Sequence, residues 1–281
     1  CFVAFKKVRQ CYDNFANTRV RSCDERLSRL EIIGMAPILQ KVLPYDLRLQ
    51  RALPGIQPLQ RSDWLQIDEA YDQQIAERER LLSAARGAVV QMSEAARLAS
   101  EELLDQVLED LGHRADFTVQ GTWVRRPDDV WVEIDRGDPL GVLARLVQED
   151  LCLLQKIGGE HVLTGAVLCF PASWSLEEKF MRPLIEIHAP VDSYDDNIAR
   201  RVQRLFDGVK PDRPLWRFNL LRYVDPTLHQ PRSELARRNT DDGQDFKYFR
   251  SERQCVLRLP KTNAVVFSIH TYVLENRDVN L

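Results

Sequence analysis

Four side chains carry the chemistry this sequence offers, and they fall in two places. His188 lies in RPLIEIHAPV, where Pro190 follows two residues later. A residue before proline is pushed out of helical geometry, so the histidine should close a short helix whose other face is apolar. An imidazole held there has two readings: a ligand for a metal or a haem iron, or a hydrogen-bonded histidine at a helix C-terminus. The other three, Arg253, His270 and Tyr272, belong to RSERQCVLRLPKTNAVVFSIHTY near the end of the chain.

The register of that second segment follows from its loop. If Pro260 to Asn263 form the turn of a hairpin, Leu259 faces Ala264, Arg253 faces His270 and Ser251 faces Tyr272. All four polar side chains then share one face, and an odd loop length would send them to the other. Arg253 belongs to the alternation Phe249, Ser251, Arg253, Cys255, Leu257, so its guanidinium needs a partner on a partly apolar face. It reads either as an anion anchor or polar lid over a ligand, or as half of a core ion pair. Arg250, Glu252 and Arg258 alternate with these and are expected to be solvated, and His113, His161 and His229 read as ordinary surface residues.

Composition excludes several other classes. Net charge is −3, with 39 basic residues dispersed among 42 acidic ones, which is not the basic stripe of a nucleic-acid binder. Apolar runs such as Ala166 to Phe170 fall far short of the ~20 residues that cross a bilayer. The six cysteines form no CxxC pair, no zinc spacing and no CxxCH, so reduced thiols in a cytoplasmic protein are expected, and any haem would be held non-covalently. There is no GxGxxG after a strand, no GxxxxGK followed by Ser or Thr, no HExxH and no GxSxG.

The elements that must position these residues can be read from periodicity. Residues 1–43 are expected to be an N-terminal extension, poorly ordered or non-native, with the functional protein beginning near Met35. Residues 44–281 then form a single domain. Pro44 to Pro58 is extended; Ser62 caps a helix opening at Trp64; Ser93 to Leu111 is a second helix with Ala96, Leu103, Leu104, Val107 and Leu111 on one side. Short strands follow at Thr122 to Val124 and Val130 to Ile134, then a helix from Pro139 to about Gln148. Strands at Gln148 to Gln155 and His161 to Phe170 are joined through Gly158 and Gly159. Ser175 with Glu178 makes a capping box. Asp195 or Asp196 starts a helix with Ile198, Val202, Leu205, Phe206 and Val209 on one side. Leu215 to Tyr223 is a strand, Asp225 to Gly243 a polar excursion, and Tyr248 to Val273 a closing hairpin. The fold class is α+β, a largely antiparallel sheet with flanking helices and a helical N-terminal layer.

Four segments resemble the haem-dependent oxidative N-demethylase α-subunit family. They are DWLQIDEAY (Asp63 to Tyr71), RLVQEDLCLL (Arg145 to Leu154), CFPASWSLEEKFMRPLIEIHAPV (Cys169 to Val191) and RSERQCVLRLPKTNAVVFSIHTYV (Arg250 to Val273). They occur in family order and span nearly everything from Pro44 onward. The resemblance implies a PAS-like domain holding a non-covalent b-type haem that oxidises a small secondary amine such as dimethylamine with O2. FMN, a 2Fe-2S cluster and NADPH would reside on a partner reductase. It further implies that His188 in IHAPV is the axial iron ligand. Arg253, His270 and Tyr272 are assigned to the distal, catalytic side, Arg253 also touching the cofactor. Where the family carries an arginine this chain has His270, which makes His270 a rival iron ligand. The same fold admits a haem or gas sensor without turnover, or a degenerate interaction module.

Overall fold

The computed structural model describes residues 36–49, 55–188, 196–233 and 245–279. The elements below all lie in the second of two compact units, Cys1–Pro37 and Ile38–Leu281. Residues 1–35 of the expected extension lie outside the described residues; in its remainder Gln40 is buried and accepts from Val273 N at 2.9 Å.

Helices come first. α1 (Tyr71–Val89) departs from helical geometry at Ala85, and α2 (Arg97–Gly112) buries Leu103, Leu104, Val107 and Leu111 completely. Those side chains recur on one side of the helix, each contributing roughly 1.5–3 kcal/mol on burial. α3 (Pro139–Leu146) starts at Asp138, whose carboxylate accepts from the Gly141 amide at 3.1 Å, with Pro139 preset for the first helical position. The expected helix at Trp64 does not form. Arg61–Asp63 make one 3-10 turn and the helix waits until Tyr71; between them the Gln66 and Asp68 amides donate to the Glu149 and Gln148 side chains at 2.8 and 3.2 Å instead of to a helical turn.

The strands follow the same logic. β1 (Gln57–Pro58), β2 (Val90–Met92), β6 (Asp150–Ile157), β7 (Glu160–Val167), β8 (Leu215–Tyr223), β9 (Tyr248–Arg258) and β10 (Val265–Glu275) form one sheet in the order β1-β8-β9-β10-β6-β7-β2. Every neighbouring pair is antiparallel. Gly158 and Gly159, with φ of +64° and +117°, close the β6–β7 hairpin in a conformation that side-chain-bearing residues resist. A separate small sheet, β3 (Thr118–Gln120), β4 (Trp123–Arg125) and β5 (Trp131–Glu133), contains the two predicted short strands and a third that sequence reading missed. An α+β fold with an antiparallel sheet is therefore what forms. No described helix is long and apolar enough to cross a membrane.

The large sheet has two covered faces. Leu151, Leu153, Cys255, Leu257 and Val266 point to the first, where they pack with α1, α2 and α3. Their strand neighbours Cys152, Leu154, Val256 and Val265 point to the second, under α4 (Leu176–Lys179), α5 (Leu184–His188) and α6 (Asp196–Gly208). Ser175 caps α4 by accepting from Glu178 N at 3.4 Å, as its spacing implied. Arg258, expected to be solvated, closes the C-terminus of α6 by donating to Phe206 O and Val209 O at 2.5 and 2.6 Å.

Candidate functional site

The closing hairpin has the register its loop length implied: His270 pairs with Arg253, Tyr272 with Ser251, and Leu259 N donates to Ala264 O at 2.9 Å. Arg253, His270 and Tyr272 therefore do share a face, the first one. All three are buried. Arg253 forms no core ion pair among the described residues. Its guanidinium donates to Asp63 O at 2.6 Å and Trp64 O at 3.0 Å, and lies 5.2 Å from the Trp216 ring centroid. The Tyr272 ring lies tilted by 35° against His270, centroids 4.5 Å apart, and meets Tyr45 edge-on at 5.9 Å. Tyr45 bonds Ser251 Oγ at 2.8 Å, and its phenol is pushed up by burial.

His270 is held from both sides. Nδ1 lies 3.0 Å from Glu149 Oε1 and Nε2 lies 3.1 Å from Asp68 Oδ2. A carboxylate can only accept, so two such contacts require both ring nitrogens to donate and the imidazole to be a cation. Burial alone would lower its pKa, but the Asp68 and Glu149 hydrogen bonds outweigh it and raise the value to about 9. Asp68 is the mirror case. Burial pushes it up, while bonds from His270, Gln148 and Gln40 outweigh that and hold it below the usual carboxylate range. With neither nitrogen free, His270 is not placed to bind iron. Asp68 lies within DWLQIDEAY and Glu149 within RLVQEDLCLL, segments that residue patterns alone do not pair with His270.

A pH dependence follows. The His270 contribution to stability is fully present below its unfolded value of 6.5 and is lost as pH rises through about 9. The Asp68 contribution is present above 3.8 and lost as pH falls through its depressed folded value. Urea midpoints are expected to be highest between these limits and to decline toward pH ~9.5. In a His270→Gln variant the alkaline decline should flatten; an unchanged slope would mean another group titrates.

His188 stands elsewhere. α5 packs on the second face through Leu184 and Ile187, so the sheet separates its end from Arg253, His270 and Tyr272. The expectation that one ligand lies between His188 and the hairpin face is corrected by this alternation: the two groups belong to opposite sides of the same strands. The His188 side chain lies outside the described residues. Its backbone position is fixed from next door, where buried Lys179 donates to Ile187 O at 2.5 Å. Six apolar side chains packed against the second-face cluster, Trp174, Ile187, Val202, Leu205, Leu215 and Phe267, are only partly buried.

Two further corrections belong to this second face. Arg250 and Glu252, expected to be solvated, are buried, Arg250 donating to Leu228 O at 2.9 Å and Phe170 O at 2.6 Å. His161 is also buried, bonded to Gln203 at 2.9 Å and set against the Phe206 ring; burial lowers its pKa. Sequence reading missed Arg217 as well, because nothing in an alternating strand distinguishes a functional arginine from a solvated one. It lies on β8 with Gln254 Oε1 at 2.6 Å, and its buried Nε has no hydrogen-bond partner among the described residues. Partly buried apolar side chains and a buried guanidinium on one face of the sheet suit a ligand with an apolar body and an acidic group. A family model described as haem-dependent oxidative N-demethylase, alpha subunit-like, matches residues 55–280.

Proposed function

The chain belongs to the haem-dependent oxidative N-demethylase, alpha subunit-like family, and on that premise we propose that it is the haem-bearing subunit that oxidises a methyl group of a small secondary amine. The supporting observation is the set of partly buried apolar side chains that share the second-face cluster with Leu184 of α5. His188 is the residue to hold iron, with Trp174, Ile187 and Phe267 among the apolar walls. A b-type haem without covalent attachment suits a chain with no CxxCH. When bound, the haem supplies a redox-active iron at which O2 is used, giving the demethylated amine and formaldehyde.

The protein's own contribution is placement and exclusion of water. Lys179 fixes the last turn of α5, and thus the backbone that carries His188. Trp174 and Phe267 offer an apolar surface that a neutral amine enters more readily than its protonated form, whose desolvation is costly. Arg253, His270 and Tyr272 act through the strands, as positioning residues: the bonds of Arg253 and His270 to Asp63, Trp64, Asp68 and Glu149, with Tyr272 set beside them, lock β9 and β10 from behind. Dimethylamine is the expected substrate, and a separate reductase using NADPH, FMN and a 2Fe-2S cluster the expected electron source.

The test is reconstitution with haem, followed by assay with dimethylamine, O2, NADPH and such a reductase. A Soret band and formaldehyde release matching NADPH consumption are expected. A band without formaldehyde would favour the sensor reading, and no band at all the degenerate interaction module.

A further inference from the structure

Among the described residues, the second face of the sheet carries a guanidinium that no carboxylate bonds. Arg217 projects there from β8, opposite Gln254 on β9, and its one hydrogen bond within those residues is to the Gln254 side-chain oxygen at 2.6 Å. Nε is buried and unpartnered. The nearest acid, Glu252, is already engaged: its Oε2 accepts from Asn219 and from Gln254, each at 3.0 Å, and its Oε1 lies 4.0 Å from Arg250 Nε. Burial without a paired carboxylate lowers the Arg217 pKa. A guanidinium is rarely left this way, because its donors cost free energy when removed from water unmatched. The buried hydroxyl of Thr271, also on this face, has no partner among the described residues either.

From this geometry we infer that Arg217, backed by Gln254, is a carboxylate-binding site at the margin of the second face, and that the carboxylate it takes is a propionate of the haem. The inference rests on the functional reading above, which sets the porphyrin on that face. β8 lies two strands from β10, about 10 Å at the usual interstrand spacing. Arg217 therefore flanks the Phe267 wall instead of lying under it. That is where the polar edge of a macrocycle belongs when its body covers Phe267. A guanidinium also matches the fork of a carboxylate through two parallel N–H donors, which an ammonium cannot.

The test compares haem with its dimethyl ester, which has the same ring and no carboxylates, in titrations of wild type, Arg217→Gln and Arg217→Lys followed by Soret absorbance. Wild type is expected to prefer haem. Arg217→Gln should lose about tenfold or more in haem affinity while ester affinity stays unchanged. Arg217→Lys should recover only part of the loss. Equal weakening of both ligands, with altered near-UV circular dichroism, would show a packing role and overturn the inference. So would haem and ester affinities that match wild type in Arg217→Gln; in that outcome haem binding itself, and the reading on which it rests, survives. If wild type binds neither ligand, both fall together. Free acetate or an N-methylated amino acid that binds wild type but not Arg217→Gln, with haem affinity independent of residue 217, would assign the site to a substrate carboxylate and likewise overturn the haem assignment.

Discussion

His188→Ala is expected to emerge from haem reconstitution with no Soret band, a loss of two or more orders of magnitude in haem retention. An axial ligand is the largest single bond a protein makes to a non-covalent haem, and no cysteine thioether link stands behind it here. The fold should tolerate the change. α5 is anchored by Leu184 and Ile187 and by the Lys179 bond to its last turn, none of which involves the imidazole. Far-UV circular dichroism should therefore match wild type, and millimolar imidazole should restore part of the band. Full haem content in His188→Ala would move the ligand assignment to another residue and would leave the family membership untouched.

Asp150→Ala should have the largest effect on stability. Arg78 and Asp150 form an ion pair at 2.7 Å with side chains 0% and 1% exposed. Asp150 also accepts the amides of Cys169 and Phe170, each at 2.7 Å, where β7 ends. Arg78 donates besides to the carbonyls of Ala144, Gln148 and Glu149, sewing the end of α3 to the start of β6. Removing the carboxylate strands a buried guanidinium and two amides, a loss of about 3–5 kcal/mol. Against a total of roughly 5–15 kcal/mol for a domain, that leaves a marginal fold. The urea midpoint is the measurement. A shift worth under about 1 kcal/mol would show that water reaches the site and compensates.

Much of this architecture could be read from residue patterns, and the exceptions share a cause. The closing hairpin was legible because a loop of known length sets the facing of every later residue, so Arg253 and His270 pair by counting outward from Leu259 and Ala264. Leu215–Tyr223 and the capping box at Ser175 were legible for similar local reasons. The partners of His270 were not, since Asp68 lies 202 positions away and Glu149 121 positions away. The same holds for Arg250 and Glu252: alternation assigned them correctly to the second face, but the loop carbonyls of Phe170 and Leu228 that take Arg250 are beyond what alternation can reveal. His188 shows the opposite limit. Its helix was foreseeable, whereas the side of the sheet it serves depends on Leu184 packing among strands distant in sequence. The false start at Ser62 arose because long-range bonds from Gln148 and Glu149 captured a backbone that local propensity would have coiled.

The alternation of β9 and β10 has an engineering consequence. Consecutive residues such as Arg253 and Gln254, or Ile269 and His270, answer to opposite sides, so the brace and the second face are encoded on interleaved but separate sets of codons. Diversifying Gln254, Phe267 and Ile269 while leaving their immediate neighbours alone would change the second face without loosening the brace. A library built on that comb should keep a high proportion of folded variants while its ligand preferences drift.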